Sequence, residues 1–335
     1  MLEIGLRLCL LRVNMRTAAA FFALTLLTAT APAALRNLER VTVSGSEYVR
    51  LAEWADLAGC AMKWNKQDGE IDVSGPSARV NFSIDSRRAE ISGVSVWLCL
   101  PVVNRNGVPL ISLTDLGTTI EPVILPHKSE ARVKTVCLDP GHGGVDSGES
   151  QGHNYEKKYT LLLAKETADL LEERGFKVFM TRSNDGAVEL SERPELALRR
   201  GADIFVSLHY NAADPSLHGV EVFCLAPAGL NSSDAGGGKS FHPAETGNAH
   251  DDRNVLLAYQ VQKSICHNLP VEDLGLKRSR FEVLRLAHMP AILVEGGFLS
   301  NPAEAKNVYD PAFRKRMARA IVDGIVAYKQ ALTAP

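Results

Sequence analysis

Polar and apolar positions divide the chain into two blocks with different rhythms. Over residues 40–125, short extended runs alternate with Gly, Ser, Asp and Asn: Val41-Thr-Val, Glu70-Ile-Asp-Val, Arg79-Val-Asn-Phe-Ser-Ile and Glu90-Ile-Ser-Gly-Val-Ser-Val. Runs this short, broken by turn residues, predict strand–turn alternation and a small α+β domain. A weak internal repeat lies within it. Tyr48-Val-Arg-Leu-Ala-Glu-Trp-Ala-Asp-Leu resembles Gly107-Val-Pro-Leu-Ile-Ser-Leu-Thr-Asp-Leu, and both pass from extended chain to a helical turn at the same offset. Residues 121–133, with Pro122 and Pro126 followed by His127-Lys-Ser-Glu-Ala-Arg, read as a linker whose core is 126–133.

From residue 134 to 332 the rhythm is strand, helix, strand. Thr135-Val-Cys-Leu-Asp is a strand, and Glu156 to Glu173 a helix with Leu161, Leu162, Leu163, Ala164, Ala168, Leu170 and Leu171 on its apolar side. Gly175 stops that helix and Lys177-Val-Phe-Met-Thr follows as a strand. A helix from Leu190 to Arg200, strands at Asp203–Leu208 and Val220–Leu225, a helix over Asn254–Asn268, a strand at Ala291–Glu295 and C-terminal helices complete the block. Near-continuous apolar strands between amphipathic helices predict an α/β fold with a mostly parallel central sheet covered by helices on both faces. Residues 226–252, with Gly236-Gly-Gly and no apolar period, break the alternation and read either as a lid over a site or as a mobile loop.

The N-terminus changes the picture. Residues 18–34 are small and apolar, Arg16 precedes them, and Ala31-Pro32-Ala33 fits a small-x-small cleavage site. We read residues 1–33 as a secretory signal peptide, with Met15 as the better start. The run is too short and too rich in Thr and Ala for a comfortable membrane span of ~20 strongly apolar residues, so an uncleaved anchor is the weaker alternative. Cleavage after Ala33 removes Arg7, Arg12, Arg16 and Glu3 and moves the formal charge from −2 to −4. No global basic field exists to hold a polyanion, so nucleic acid is not an expected partner. At 45% hydrophobic residues in 335, the chain has ample material for a core and is not a disordered chain. Cys9 leaves with the leader. Cys60, Cys99, Cys137, Cys224 and Cys266 are too sparse for a disulfide framework or a thiolate metal site. Cys137 and Cys224 sit in strand-like apolar runs and are expected as buried thiols. Cys60 and Cys99 are left as a possible pair. Trp54, Trp64 and Trp97 all fall in the first block, where core packing is expected over a glycan-stacking platform.

The candidate chemistry lies at strand ends, where open α/β sheets bind ligands. After the first strand of the second block comes Asp139-Pro-Gly-His142-Gly-Gly, after the third Ser207-Leu-His209-Tyr-Asn211-Ala, and after the last Glu295-Gly-Gly-Phe298-Leu-Ser-Asn301. Glu156 opens the first long helix on the same rim. Two His and one carboxylate suit a zinc ion with a fourth position left for water. Gly141, Gly143 and Gly144 let the backbone turn sharply and bring His142 inward. Glu295, at the end of an apolar strand, suits a general base whose pKa burial would raise. Each feature alone has a plainer explanation: Glu156 as a first-turn carboxylate facing the helix dipole, Glu295 as an ion-pair partner. His153 is a rival ligand. His127, His218, His242, His250, His267 and His288 read as surface residues.

Together these motifs resemble the zinc-dependent N-acetylmuramoyl-L-alanine amidases, the family of the cell-division amidases, over residues 134 to about 330 in the same order. The resemblance implies one zinc ion per chain held by His142, Glu156 and His209, with Glu295 as the catalytic carboxylate. Its implied reaction is hydrolysis of the amide between N-acetylmuramic acid and L-alanine in peptidoglycan, in wall remodelling, daughter-cell separation or recycling. Asn211, Phe298 and Asn301 are the implied substrate contacts. The export signal agrees, since that substrate lies outside the cytoplasm, and a monomeric periplasmic or wall-associated enzyme is expected. Some relatives carry a helical insertion after the strand equivalent to 220–225 that occludes the zinc until a partner binds. Residues 226–252 have little helical promise, so tight self-occlusion is not expected here. The first block loosely resembles the stalk-like module named for the N-terminal domain of copper amine oxidases. That implies a small α+β accessory domain contacting wall or an activator, without copper chemistry, since the block holds no His. The competing readings are a wall-binding protein that has lost activity and a different zinc hydrolase, such as a carboxypeptidase or a sugar deacetylase.

Overall fold

The computed structural model describes residues 38–75, 78–128 and 133–333; the leader and Cys9 lie outside the described residues. The internal repeat of the first block is a repeated strand-to-helix step. Strand β1 (Arg40–Val43) turns into β2 (Ser46–Arg50), which runs straight into helix α1 (Leu51–Leu57). Next come β3 (Ala61–Asn65), β4 (Glu70–Ser74), β5 (Arg79–Ser83), β6 (Arg88–Ile91) and β7 (Val94–Trp97). The second copy of the step follows: β8 (Val103–Arg105) and β9 (Val108–Ser112) lead into α2 (Leu113–Asp115). Strands β2 and β9 pair antiparallel, Val49 opposite Ile111, in a four-stranded sheet of order β1-β2-β9-β8. Ser112 Oγ accepts from Asp115 N at 3.2 Å and caps α2.

The first residues of the stretch read as linker, 121–124, are helical. Beyond α2 the chain passes through a π-helical stretch, Leu116–Ile120, into α3 (Glu121–Ile124), whose residues are all buried. Pro122 stands in the first turn of α3, where its missing N–H costs nothing.

In the second block the elements are β10 (Thr135–Pro140), a small hairpin β11 (Ser150–Gln151) and β12 (Asn154–Tyr155), α4 (Glu156–Glu173) and β13 (Lys177–Met180). They continue as α5 (Glu192–Arg199), β14 (Ile204–Asn211), β15 (Val220–Leu225), α6 (Asp251–Asn268), β16 (Asp273–Ser279), α7 (Glu282–Arg285), β17 (Ala291–Phe298), α8 (Pro302–Tyr309) and α9 (Pro311–Leu332). Strands β13, β10, β14 and β17 are mutually parallel, and β15 joins β17 antiparallel. Alternate residues serve two cores, as a strand's period of two demands. Val136, Leu138, Ile204, Val206, Ile292 and Val294 pack with the buried residues of α4, α6 and α9. Cys137, Phe205, Leu293 and Phe223 face the other way, with Ala197 of α5 and Val283 and Leu284 of α7. Both faces are covered, which is why these strands read as unbroken apolar runs.

The sheet does not stop with the second block. Strand β16 is parallel to β15 and meets β7 at Leu276 opposite Val96. The antiparallel run β7-β6-β5-β4-β3 then extends the same sheet to eleven strands. Asp273 Oδ2 takes the N–H of Ser95 at 2.7 Å, and Trp97 Nε1 donates to Leu274 O at 3.1 Å across this seam. Trp54 is buried, its Nε1 donating to Glu121 Oε1 at 2.9 Å, and Trp64 packs against the core. The three tryptophans pack rather than form an open platform. The five described cysteines are free thiols, so Cys60 and Cys99 are not paired.

Residues 226–252 form neither a helical insertion nor a loose loop. Leu230 bridges Lys239, a 3-10 turn covers Thr246–His250, and α6 starts at Asp251, three residues before the expected Asn254. Gly238 N donates to Cys99 O at 2.9 Å, Arg87 Nη2 to Ser233 O at 3.3 Å, and Leu230 sits in a cluster with Val43, Tyr48, Cys99, Leu100 and Leu110. The segment is docked on the first block.

Candidate metal centre

Three elements deliver the polar residues to one rim. Strand β10 ends at Pro140, and the chain then turns through His142, held in the left-handed region at φ 61°, and Gly143 and Gly144, also at positive φ. Glu156 is the first residue of α4, and His209 stands near the end of β14. Ligand atoms of His142, Glu156 and His209 all lie within 4.8 Å of one another. Glu156 Oε2 is 3.0 Å from His142 Nε2, and its Oε1 is 3.1 Å from His209 Nδ1. The imidazole rings meet edge to face, their centroids 4.8 Å apart.

Each group is oriented from behind. Asp146 Oδ2 lies 2.8 Å from His142 Nδ1, which leaves Nε2 toward the cluster. Glu156 is buried, and its two oxygens take the N–H groups of Glu149 and Tyr210, each at 3.0 Å. Burial alone would raise its pKa, but His142 and His209 outweigh that and hold its carboxyl well below the usual range. His142 is likewise raised, the pull of Glu156 and Asp146 exceeding the cost of burial.

The residues present fit a zinc ion. Two imidazole nitrogens and one carboxylate oxygen are the donor set of an open catalytic site, and zinc bonds of about 2.0–2.2 Å need ligand atoms only a little over 3 Å apart. The backbone is cut away to make the cradle. A Cβ on Gly141 would stand 2.2 Å from His209 Cε1, and one on Gly148 would stand 2.5 Å from Glu156 Oε2.

Glu295 is opposite His209 on the adjacent strand, and Glu221 is opposite Glu295 on the next. Directly paired residues project from the same face, so His209, Glu295 and Glu221 form one row across β14, β17 and β15. Glu295 Oε2 is buried with no hydrogen-bond partner among the described residues. Burial, then the charges of Glu156 and Glu221, push its carboxyl well above the ordinary carboxylate range. Glu221 is itself compensated: Asn211 Nδ2 donates to it at 2.6 Å and Lys277 Nζ pairs with its other oxygen.

The remaining sequence candidates fall elsewhere. His153 is at the exposed tip of the β11–β12 hairpin, outside the cluster. His127, His218, His242, His267 and His288 are exposed and His250 is half-buried. Phe298 is 3% exposed and offers no face to a substrate. Asn301 is the N-cap of α8, its Oδ1 accepting from Ala303 N and Glu304 N and its Nδ2 donating to Pro215 O. Asn211 remains on the rim, held by Glu221. Sequence reasoning missed Asp146 and Glu221; an acid four residues after His142 is the only signal that pointed to the first.

The N-acetylmuramoyl-L-alanine amidase family model matches residues 136–327. The chain is 37% identical over 224 residues to the N-acetylmuramoyl-L-alanine amidase AmiC of Neisseria meningitidis serogroup B, a match covering 59% of this chain and 53% of that protein. It is 31% identical over 229 residues to AmiA of Escherichia coli K12, covering 60% of this chain and 78% of that protein. Among solved structures, the N-acetylmuramoyl-L-alanine amidase from Clostridium difficile 630 is 32% identical with a TM-score of 0.49, over 59% of this chain and 97% of that one. The chain spans about half the length of the Neisseria relative. With more than half of its residues inside the family match, the chain belongs to the N-acetylmuramoyl-L-alanine amidase family.

Proposed function

We propose that this protein is an exported zinc-dependent amidase that cleaves the bond between N-acetylmuramic acid and L-alanine in peptidoglycan. The observation that carries the reading is the His142–Glu156–His209 cluster with the unpartnered carboxylate of Glu295 in the same row as His209. Export rests on the leader composition of residues 1–33. Among the described residues no helix is long and apolar enough to cross a membrane.

His142, Glu156 and His209 would hold the zinc. When bound, the metal supplies Lewis acidity at the scissile carbonyl and lowers the pKa of water beside it. Glu295 accepts the proton released as water attacks the lactyl carbonyl carbon. It then delivers that proton to the L-alanine nitrogen as the C–N bond breaks, ending as it began. A desolvated carboxylate with a raised pKa suits both halves of this transfer. Asn211, fixed by Glu221, is the rim residue left to contact substrate. The docked segment 226–252 is hydrogen-bonded to Gly45, Arg87, Cys99, Arg278, Ser279, Arg280 and Arg285, among others. None of its hydrogen bonds reaches His142, Glu156, His209 or Glu295 among the described residues, which supports an enzyme without self-occlusion.

The test is digestion of purified sacculi with mass analysis of the products. Free stem peptides beginning at L-alanine and intact glycan strands are expected; trimmed peptides or deacetylated sugars mean a different hydrolase. Glu295→Ala is expected to keep its zinc and lose on the order of 10³-fold in rate. His142→Ala and His209→Ala are expected to lose metal and activity together. A near-normal rate in Glu295→Ala would falsify its assignment as the proton carrier.

A further inference from the structure

Behind the three candidate ligands lies a buried polar network that the proposed reaction does not itself use. We propose that Arg182 and Arg193 are positioning residues, which lock the turn bearing His142, the start of the helix bearing Glu156 and the strand bearing His209 into one geometry. This inference rests on the metal reading above.

Arg182 follows the end of β13 and is buried. Its Nη2 donates to Gly141 O at 2.7 Å and to Lys157 O at 2.8 Å, the residue before one ligand and the residue after another. The same nitrogen reaches Thr160 Oγ1 at 3.1 Å, and Thr160 Oγ1 donates in turn to Gly141 O at 2.9 Å. Its Nε donates to Pro140 O at 3.0 Å and its Nη1 to Asn184 O at 3.0 Å. Arg193, in the first turn of α5 and equally buried, donates Nη2 to the carbonyl of His142 itself at 3.1 Å. Its Nη1 serves Pro140 O at 3.0 Å and Asp139 Oδ1 at 2.9 Å. Three successive carbonyls, of Pro140, Gly141 and His142, are thus taken by guanidinium N–H groups.

Asp139 extends the lock to the third ligand. Its carboxylate takes Thr181 Oγ1 at 2.6 Å and Ser207 Oγ at 2.8 Å, and Ser207 is two residues before His209 on β14. The chemistry requires arginine. A planar fork of N–H donors spans several acceptors in fixed directions, whereas an ammonium is a single point on a flexible stem. Glycine-rich turns such as 141–144 do not hold their own shape. A tetrahedral metal centre tolerates little displacement of its donors, so the stiffness has to come from outside the turn.

The experiment measures zinc affinity by competition with a chromophoric chelator, alongside kcat and KM, for wild type, Arg182→Lys, Arg193→Lys and Arg314→Lys. Arg314 is the control: it is as buried and pairs with Glu166 at 3.0 Å, but touches none of the ligand-bearing elements' ends. We expect Arg182→Lys and Arg193→Lys to weaken zinc binding by about 10- to 100-fold and to lower kcat with KM held. Arg314→Lys is expected to keep wild-type zinc affinity. If either lysine variant fails to fold, Thr160→Val and Ser207→Ala, which each remove one hydroxyl, carry the same readout with several-fold effects. Equal zinc affinity in the wild type and in these variants overturns the proposal while leaving the metal reading intact. A wild type that binds no zinc overturns both, and His142→Ala separates specific from adventitious metal.

Discussion

At the scale of single residues, the site is set as much by atoms left out as by atoms present. Gly141 and Gly148 are the places where a methyl group would enter the cluster, at 2.2 Å from His209 Cε1 and 2.5 Å from Glu156 Oε2. Gly141→Ala is expected to push the His209 ring off its position and to weaken zinc binding by at least ~10-fold in a chelator competition. Gly152→Ala is the comparison, because Gly152 has φ +63° but nothing within 4 Å of the added carbon. It suffers backbone strain alone, about 1 kcal/mol, and should bind zinc normally. If both glycine variants bind zinc alike, collision with the ring is not what Gly141 prevents. That His142, Glu156 and His209 would meet was legible because strand ends are where polar residues have no packing duty. Asp146, Arg182 and Glu221 were not, because their meaning lies in partners brought up by folding. Phe298 shows the opposite case: the resemblance implied a substrate contact, but its ring is buried at 3% exposure.

Among the elements, helix α4 was readable to the residue, since Glu156–Glu173 carries a full apolar side and ends at Gly175. Strand β16 was not. Asp273-Leu-Gly-Leu-Lys-Arg-Ser has no apolar run, and its buried charge, Arg278, is paid for by distant partners. The Gly-rich stretch was readable as non-helical but not as docked, because docking uses its backbone. Gly237 has φ +64°, and a Cβ there would lie 2.1 Å from Arg87 Nη1 and 2.6 Å from Cys99 O. Gly237→Ala is expected to free residues 226–245 and speed their cleavage in limited proteolysis, with zinc affinity unchanged. Gly236→Ala, with similar φ and open space, should keep the wild-type cleavage pattern. Helix α6 adds a pH effect at its first residue. Burial pushes Asp251 up to about 6, against the pull of Arg278 and the hydrogen bonds of Asn248. Its unfolded value is near 3.9, so the folded state holds the extra proton between roughly pH 4 and 6. Its share of stability is therefore greatest below pH 4 and falls as pH rises to 6, by on the order of 3 kcal/mol. Asp251→Asn should flatten that fall in denaturant titrations; an unchanged slope would mean the carboxyl ionises normally.

For the whole molecule, the question is whether the first block is an appendage or part of the amidase body. Composition and the turn-rich rhythm argued for a separate accessory domain, and no sequence pattern announces that two sheets will join edge to edge. The join itself is narrow, Leu276 opposite Val96, but it is reinforced by Ser95–Asp273 and Trp97–Leu274. The deeper tie is Arg278. It is fully buried, its Nη1 donating to Leu225 O at 3.0 Å and its Nη2 to Thr119 Oγ1 at 3.0 Å and to Thr118 O. Its charge is met by the carboxylates of Asp251 in the second block and Asp115 in the first. Removing residues 38–125 would strip Thr118, Thr119 and Asp115 from a buried guanidinium, and breaking up a buried charge network is costly, ~3–5 kcal/mol. It would also expose Leu230 and the open edge of β16, a template for pairing with other chains. The chain from residue 38 is therefore expected to unfold in one calorimetric transition, with van't Hoff and calorimetric enthalpies equal. A chain starting at residue 134 should melt well below it or aggregate. Two separated transitions, one of them matching the shortened chain, would show instead that the blocks are independent and that the continuous sheet contributes nothing to their stability.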